Sequence, residues 1–220
     1  DYADTLIQRD IQDLARISAL GALPRLLALA AGQTASLINV SELAAPFQVS
    51  RQTIREYLTL LSRIFLLDEL PPWHSNQLKR LVKTPKLHIG DTGLACALMG
   101  VNPGSLWMDR PLFGRLLESY VYQELRRLAS FRDESTAFYH FRDKDQVEVD
   151  LVIESEGLVA GVEVKAASTV TTADFKGLRK LKDAAGSRFV CGVVLYDGSA
   201  VAGFGEGLYA VPVSRLWSDE

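Results

Sequence analysis

The sequence predicts an α/β chain in two parts, a helical part up to about Gly100 and, from Pro111, a part in which helices alternate with the strands of a mixed sheet. Three observations carry this. Apolar residues recur at helical spacing through the first hundred positions; two alternating strands, Val147–Ile153 and Gly161–Lys165, follow each other across a short turn; and Phe189–Tyr196 is apolar throughout, as a strand covered on both faces is. The expected division is 1–100, a linker at 101–110, and 111–220.

Of the 220 residues 48% are hydrophobic, ample for a core, and the net charge is -3, which excludes a uniformly basic nucleic-acid binder and requires any DNA surface to be local. Cys96 and Cys191 lie far apart in apolar runs and read as buried reduced thiols, which suits a cytoplasmic location. No stretch is apolar for long enough to cross a bilayer, so no membrane partner is expected.

Asp1–Ala19 carries Leu6, Ile7, Ile11, Leu14 and Ile17 between charges, an amphipathic helix with neither a cap nor a Met before it, the pattern of a fragment of a longer protein. Leu20–Ala31 is apolar but short, with Pro24 and Arg25 inside it, and reads as a buried helix. Asn39–Ala44 and Val49–Leu58 are two short helices across a turn, with Ser50 as N-cap of the second, and they resemble a helix-turn-helix. Ile54, Leu58, Leu61 and Phe65 take the core spacing of the second helix and leave Arg51, Gln52, Arg55 and Thr59 for a DNA groove.

Strands at Phe65–Leu70 and Leu87–Gly90 flank a segment with Lys79, Arg80, Lys83 and Lys86. With Arg51, Arg55 and Arg63 this gives residues 51–90 seven basic side chains against three acidic ones. The outline is a winged helix with phosphate-contacting cations, and the same outline also serves as a protein interaction module. Asp91 caps the next helix, and Gly100–Arg110, with Pro103, Gly104 and Trp107, reads as the linker.

In the second part the expected elements are a helix near 112–129, strands near 136–142, 146–153 and 158–165, a helix over Ala173–Ala184, and strands at 189–196 and 207–213. Leu117, Val121, Leu125 and Leu128 form the buried stripe of the first helix, leaving Glu118 beside it and facing the strands. Asp143-Lys144-Asp145 and Glu154–Gly157 are the turns on either side of the Asp150 strand. Alternation then sends Asp150 from one strand, and Glu163 and Lys165 from the next, to one sheet face. Two carboxylates and an ammonium there suit a hard divalent cation and phosphodiester hydrolysis; they equally suit a solvated cross-strand ion-pair cluster.

An Asp at a strand end followed by Glu-x-Lys on the neighbouring strand resembles the restriction-endonuclease-like nuclease fold. Lys83 to Leu94, Gly114 to Leu125, and Phe138 through Lys165 together resemble the C-terminal part of a family of prokaryotic AAA-like ATPases, in which a winged helix precedes a nuclease-like domain of unknown function. The resemblance implies Asp150 and Glu163 as ligands of Mg2+ or Mn2+, Glu118 as a further ligand, and Lys165 as the group that orients water or meets charge on phosphorus. It also implies DNA as partner and an N-terminal ATPase module in the parent protein. No Gly-x-x-x-x-Gly-Lys-Ser/Thr occurs, so ATP is not expected to bind this fragment. Arg142 and Tyr139 lie one strand from the trio. His74, His88 and His140 lack metal-ligand spacing, and no Gly-x-Ser-x-Gly nucleophile is present. Two function classes remain, a magnesium-dependent deoxyribonuclease fused to a DNA-binding winged helix, and a catalytically silent interaction module of the same fold.

Overall fold

A computed structural model describes Thr5 and residues 20–76, 84–132 and 134–218. The amphipathic segment before residue 20, and with it Lys79, Arg80 and Lys83, lie outside the described residues. The chain forms two compact units that interleave in sequence: Asp1–Glu69 with Lys86–Ser119, and Leu70–Pro85 with Tyr120–Glu220.

In the N-terminal unit, α1 (Leu23–Gly32) buries Leu23, Leu26, Leu27, Ala30 and Ala31. Each of the three buried leucines is worth about 1.5–3 kcal/mol. A two-residue strand that the sequence did not signal, β1 (Ser36–Leu37), precedes α2 (Val40–Ala44). Asn39 caps α2 by accepting from Glu42 N at 3.3 Å. Ser50 then caps α3 (Arg51–Arg63), its hydroxyl accepting from Thr53 N at 3.0 Å, as expected. Ile54, Tyr57, Leu58 and Leu61 of α3 face the core, and Arg51, Gln52, Arg55 and Thr59 are exposed. The strands β2 (Leu67–Leu70) and β3 (Lys86–Ile89) follow, and the sheet runs β1-β3-β2. Helix, strand, two helices and two strands in that sheet order make the winged-helix arrangement.

Phe65 corrects the helical spacing. The helix ends at Arg63, Phe65 N bonds Ser62 O, Leu66 N bonds Leu61 O at 3.0 Å, and Phe65 itself sits at φ 61°. This is the left-handed stop that glycine ordinarily supplies. It turns the Phe65 side chain outward, 85% exposed, and not into the core. Gly90 is required opposite: a Cβ there would stand 2.0 Å from Phe65 O.

Asp91 Oδ1 accepts Leu94 N at 2.7 Å and starts α4 (Thr92–Met99), which Gly100 ends at φ 65°. The expected linker is helical. Asn102 and Ser105 form a capping box on α5 (Pro103–Met108), and α6 (Arg110–Ser130) follows directly. The boundary between the units falls within α6, after Ser119.

The C-terminal unit is built on a six-stranded sheet, β4 (Thr136–Arg142), β5 (Glu148–Ser155), β6 (Leu158–Lys165), β7 (Phe189–Tyr196), β8 (Ala202–Gly203) and β9 (Leu208–Pro212), in the order β4-β5-β6-β7-β9-β8. β4, β5 and β6 are antiparallel, and β6, β7 and β9 are parallel. Helix α7 (Lys176–Ala185) joins β6 to β7, and its Leu178 and Leu181 pack with Val152, Val159 and Val194. Val121 and Tyr122 of α6 pack with Leu151, Val162 and Leu195 on the other face. The buried stripe of α6 is thus shifted from the expected one: Leu116, Ser119, Val121 and Tyr122 are buried, while Leu128 is 45% exposed.

Only the second half of β7 is covered as a central strand should be; Val190, at the register shift opposite Val159/Ala160, is exposed. The β4–β5 register shifts between Tyr139↔Val152 and Phe141↔Val149, where Asp150 and Leu151 of β5 stand against the single residue His140 of β4, and Pro72 pairs with His140. Trp73 N donates to His140 O, and Trp73 Nε1 donates to Glu154 Oε2 at 2.7 Å. Pro71–Trp73, just after β2, therefore belong to the edge of the larger sheet. Cys96 and Cys191 are free and only partly buried, less than expected; burial pushes both thiols up from their ordinary pKa. Among the described residues no helix is long and apolar enough to cross a membrane.

Candidate functional site

The antiparallel β5–β6 ladder runs from Ser155↔Leu158 to Leu151↔Val162. Beyond that last pair, Asp150 is the next residue of β5 and Glu163 the next of β6. There the two strands part. β5 keeps its pairing with β4 through Phe141↔Val149 and Arg142↔Glu148, while β6 keeps its pairing with β7 out to Lys165↔Tyr196. Into this fork Asp150 sends its own carboxylate, Oδ2 accepting from Val164 N at 2.9 Å. A side-chain oxygen takes the ladder donor, which holds the fork open and fixes the Asp150 carboxylate beside β6.

Glu163 and Lys165, two apart on β6, share a face, and Lys165 Nζ stands 2.9 Å from Glu163 Oε1. Their side chains are 13% and 34% exposed. Partial burial pulls the Lys165 pKa down, but the charge and hydrogen bond of Glu163, helped by Asp150 and Asp174, outweigh it and hold the ammonium above the ordinary lysine value. This is the face that α7 covers: Gly161, two residues before Glu163, lies under Leu178 and Leu181 so closely that a Cβ would meet them at 2.6 and 2.8 Å. At its start α7 presses on β5, because a Cβ on Gly177 would stand 1.9 Å from Glu148 O. The α7 N-terminus is thereby fixed two residues from Asp150.

Asp174 is a site neighbour that the strand pattern did not reveal. Its Oδ2 accepts from Thr171 N at 2.8 Å and from Thr171 Oγ1 at 2.9 Å, a capping box before α7. A Thr-x-x-Asp spacing ahead of an amphipathic helix is the signal that would have drawn attention to it.

Three expected participants are placed differently. Glu118 is buried in the N-terminal unit, where its Oε1 accepts from Lys86 Nζ at 2.9 Å and lies 4.0 Å from His88 Nε2. Lys86 is the correction among the DNA-contacting cations: only 4% exposed and bonded to Glu118, it presents no ammonium to a phosphate. Around this pair, His88 Nδ1 and Thr34 Oγ1 both bond Ser119 Oγ, at 2.9 and 2.7 Å, and Thr34 Oγ1 accepts Ile89 N at 3.0 Å. Arg142 pairs with Glu148 at 2.9 Å and bonds Gln146. Of the remaining DNA-contact candidates, Arg51 and Arg55 are exposed on α3. Among the described residues no group of three or more His, Cys, Asp and Glu side chains stands close enough to hold a metal ion. Asp150 and Glu163 are thus the pair of carboxylates that the fold offers at the fork.

Two family models match separate stretches of the chain. Residues 1–105 match the family model "Domain of unknown function (DUF8612)", and residues 113–216 match "Domain of unknown function (DUF4143)". Over 168 residues the chain is 30% identical to Uncharacterized protein Rv2008c of Mycobacterium tuberculosis and to Uncharacterized protein Mb2031c of Mycobacterium bovis. The match takes in 76% of this chain and 37% of each relative, so the chain spans little more than a third of the length of the mycobacterial proteins it resembles.

Proposed function

We propose that the C-terminal unit is a nuclease-like domain that hydrolyses DNA phosphodiesters with a divalent cation, and that α3 of the winged helix binds the duplex. The observation that supports the first half is the fork itself, where Asp150 Oδ2 accepts from Val164 N, between Glu163 and Lys165, whose charged groups are themselves 2.9 Å apart. Hard oxygen donors on two adjacent strands fit magnesium or manganese, since magnesium is usually held by one or two carboxylates and completes its shell with water and phosphate oxygens. When bound, such an ion polarises a phosphoryl oxygen and makes water a better nucleophile.

The chain's own residues have distinct tasks in this reading. Asp150 and Glu163 hold the cation, Asp150 being oriented by Val164 N. Lys165 brings a positive charge to the developing charge on the phosphoryl oxygens. Arg51 and Arg55, exposed with Gln52 and Thr59 on α3, supply phosphate and groove contacts. ATP binding and the ATPase role belong to the parent protein, most of which would lie outside this chain if it is built like its mycobacterial relatives.

A second reading has its own support. Lys165 already neutralises Glu163, and Glu118 is committed to Lys86. The same fold would then bind nucleic acid or a protein partner without chemistry. Incubating supercoiled and linear DNA with the chain and Mg2+ or Mn2+ separates the two: the nuclease reading expects cleavage that Asp150→Asn and Glu163→Gln abolish. Full binding of DNA with no cleavage under either ion leaves the silent module.

A further inference from the structure

The Lys165 ammonium stands where an incoming cation would meet Glu163. Nζ is 2.9 Å from Oε1, at hydrogen-bond distance, on a carboxylate that is only 13% exposed. Asp150 and Asp174, the latter held by Thr171, add to the negative charge that the ammonium feels. A divalent ion that takes Glu163 must therefore displace a bonded ammonium before its charge is accepted. A phosphate oxygen offers Lys165 a charge-assisted bond in place of the one that Glu163 gives up.

We propose that Lys165 is the resident counter-ion of the Glu163 carboxylate, so that metal and a phosphodiester load together, with the phosphate drawing Lys165 off Glu163 as the metal replaces it. This rests on the metal-dependent reading above and adds to it an order of assembly. The reciprocity of linkage then requires that DNA tighten metal binding by the same factor by which metal tightens DNA binding. It also gives the chain a reason to hold little free metal when no substrate is near. Lys165 thus has two tasks in sequence, balancing Glu163 in the free protein and facing the phosphate in the complex.

Mn2+ binding measured by calorimetry and by electron paramagnetic resonance, on the whole chain, tests this without reading activity. Lys165→Met keeps the aliphatic stem and removes the charge, and is expected to bind Mn2+ about tenfold more tightly than the parent, a coupling of ordinary size. Adding a duplex with phosphorothioate linkages should tighten Mn2+ binding by the parent more than by Lys165→Met, which has no ammonium to displace. Lys165→Arg, which retains the charge, should bind like the parent and guards against a folding defect in the methionine variant. Equal Mn2+ affinity in parent and Lys165→Met, or weaker binding in a folded Lys165→Met, overturns the counter-ion role while leaving the metal site standing. Mn2+ binding by neither protein overturns the metal site and the counter-ion role together.

Discussion

Replacing Lys86 by Met should destabilise the N-terminal unit severely, and replacing Glu118 by Gln together with it should recover most of the loss. The Lys86 side chain is 4% exposed and that of Glu118 11%, with 2.9 Å between Nζ and Oε1. Removing one partner of a buried pair costs about 3–5 kcal/mol because the other charge stays in a poorly solvating site, whereas removing both charges is often nearly neutral. Against a typical total of about 5–15 kcal/mol, the single change takes a large share of the stability. With a urea slope of about 2 kcal/mol/M, the midpoint should fall by about 1.5–2.5 M in Lys86→Met, and by less than 1 M in the double variant. Urea titrations followed by far-ultraviolet circular dichroism on parent, both single variants and the double variant complete the cycle. The reasoning fails if Lys86→Met loses less than about 1 kcal/mol, or if the double variant is as unstable as the sum of the singles. The same proteins decide the role of Glu118. If its carboxylate serves packing and not metal binding, Glu118→Gln should weaken the fold and leave the Mn2+ affinity of the folded chain unchanged.

Four further outcomes follow from the geometry. Gly177→Ala places a Cβ 1.9 Å from Glu148 O and should cost about 2–4 kcal/mol in a thermal melt, because the obstacle is backbone and cannot rotate away. Phe65→Gly should stabilise the chain by about 1 kcal/mol, since it relieves a bulky residue at φ 61° whose side chain is already in water; an unchanged or lower midpoint would show that Phe65 makes a contact worth keeping. Arg51→Glu with Arg55→Glu should weaken duplex binding and shallow its salt dependence, read by fluorescence anisotropy across a salt series, and a slope equal to that of the parent would remove α3 from the interface. Lys165 has its folded-state pKa raised above the unfolded value, so its stabilisation is complete below pH 10.5 and is lost as pH rises through the folded value; melts between pH 9 and 12 should fall more steeply for the parent than for Lys165→Met.

How much of this was legible in the sequence depended on which kind of pattern carried the signal. Strand alternation from Val147 to Lys165 is a period-two pattern with a turn in the middle, and it placed β5 and β6 as adjacent antiparallel strands correctly, while the register shift on β5 at Asp150 left no mark in the pattern. Capping residues were equally direct: Ser50 and Asp91 each accept the backbone donor three positions on. The helical stripe of α6 was less certain, because Leu116, Leu117, Val121, Leu125 and Leu128 fit two rotations of the same helix, and only packing chose between them. Phe65 gave no sign at all. A left-handed stop without Gly or Asn is recognised from the 5→2 and 6→1 bonds and not from composition. Lys86 was misplaced for a related reason, since a lysine in a basic run looks like a surface cation until its buried partner, 32 positions away, is known.

On the proposed reading, few cations are left to meet DNA. A nuclease site and a duplex-binding surface both need cations that are free to meet phosphate, yet Lys86 is spent on a buried glutamate and the residues just after β2 are built into the edge of the C-terminal sheet through Trp73 and His140. What the described part of the winged helix leaves for DNA is the exposed row on α3, where Glu56 accepts from Gln52 at 3.0 Å and offsets part of the charge of Arg51 and Arg55. Three exposed arginines on α3, Arg63 included, against one glutamate give a modest counterion release and therefore weak, salt-sensitive binding from α3 alone. Sequence preference would then have to come from Gln52 and Thr59 reaching base edges, and not from electrostatic grip. Gln52→Ala should accordingly change which sequences are preferred far more than it changes non-specific affinity. A selection from random duplexes followed by anisotropy on the winners measures both, and equal loss on every sequence would assign Gln52 to the phosphate backbone.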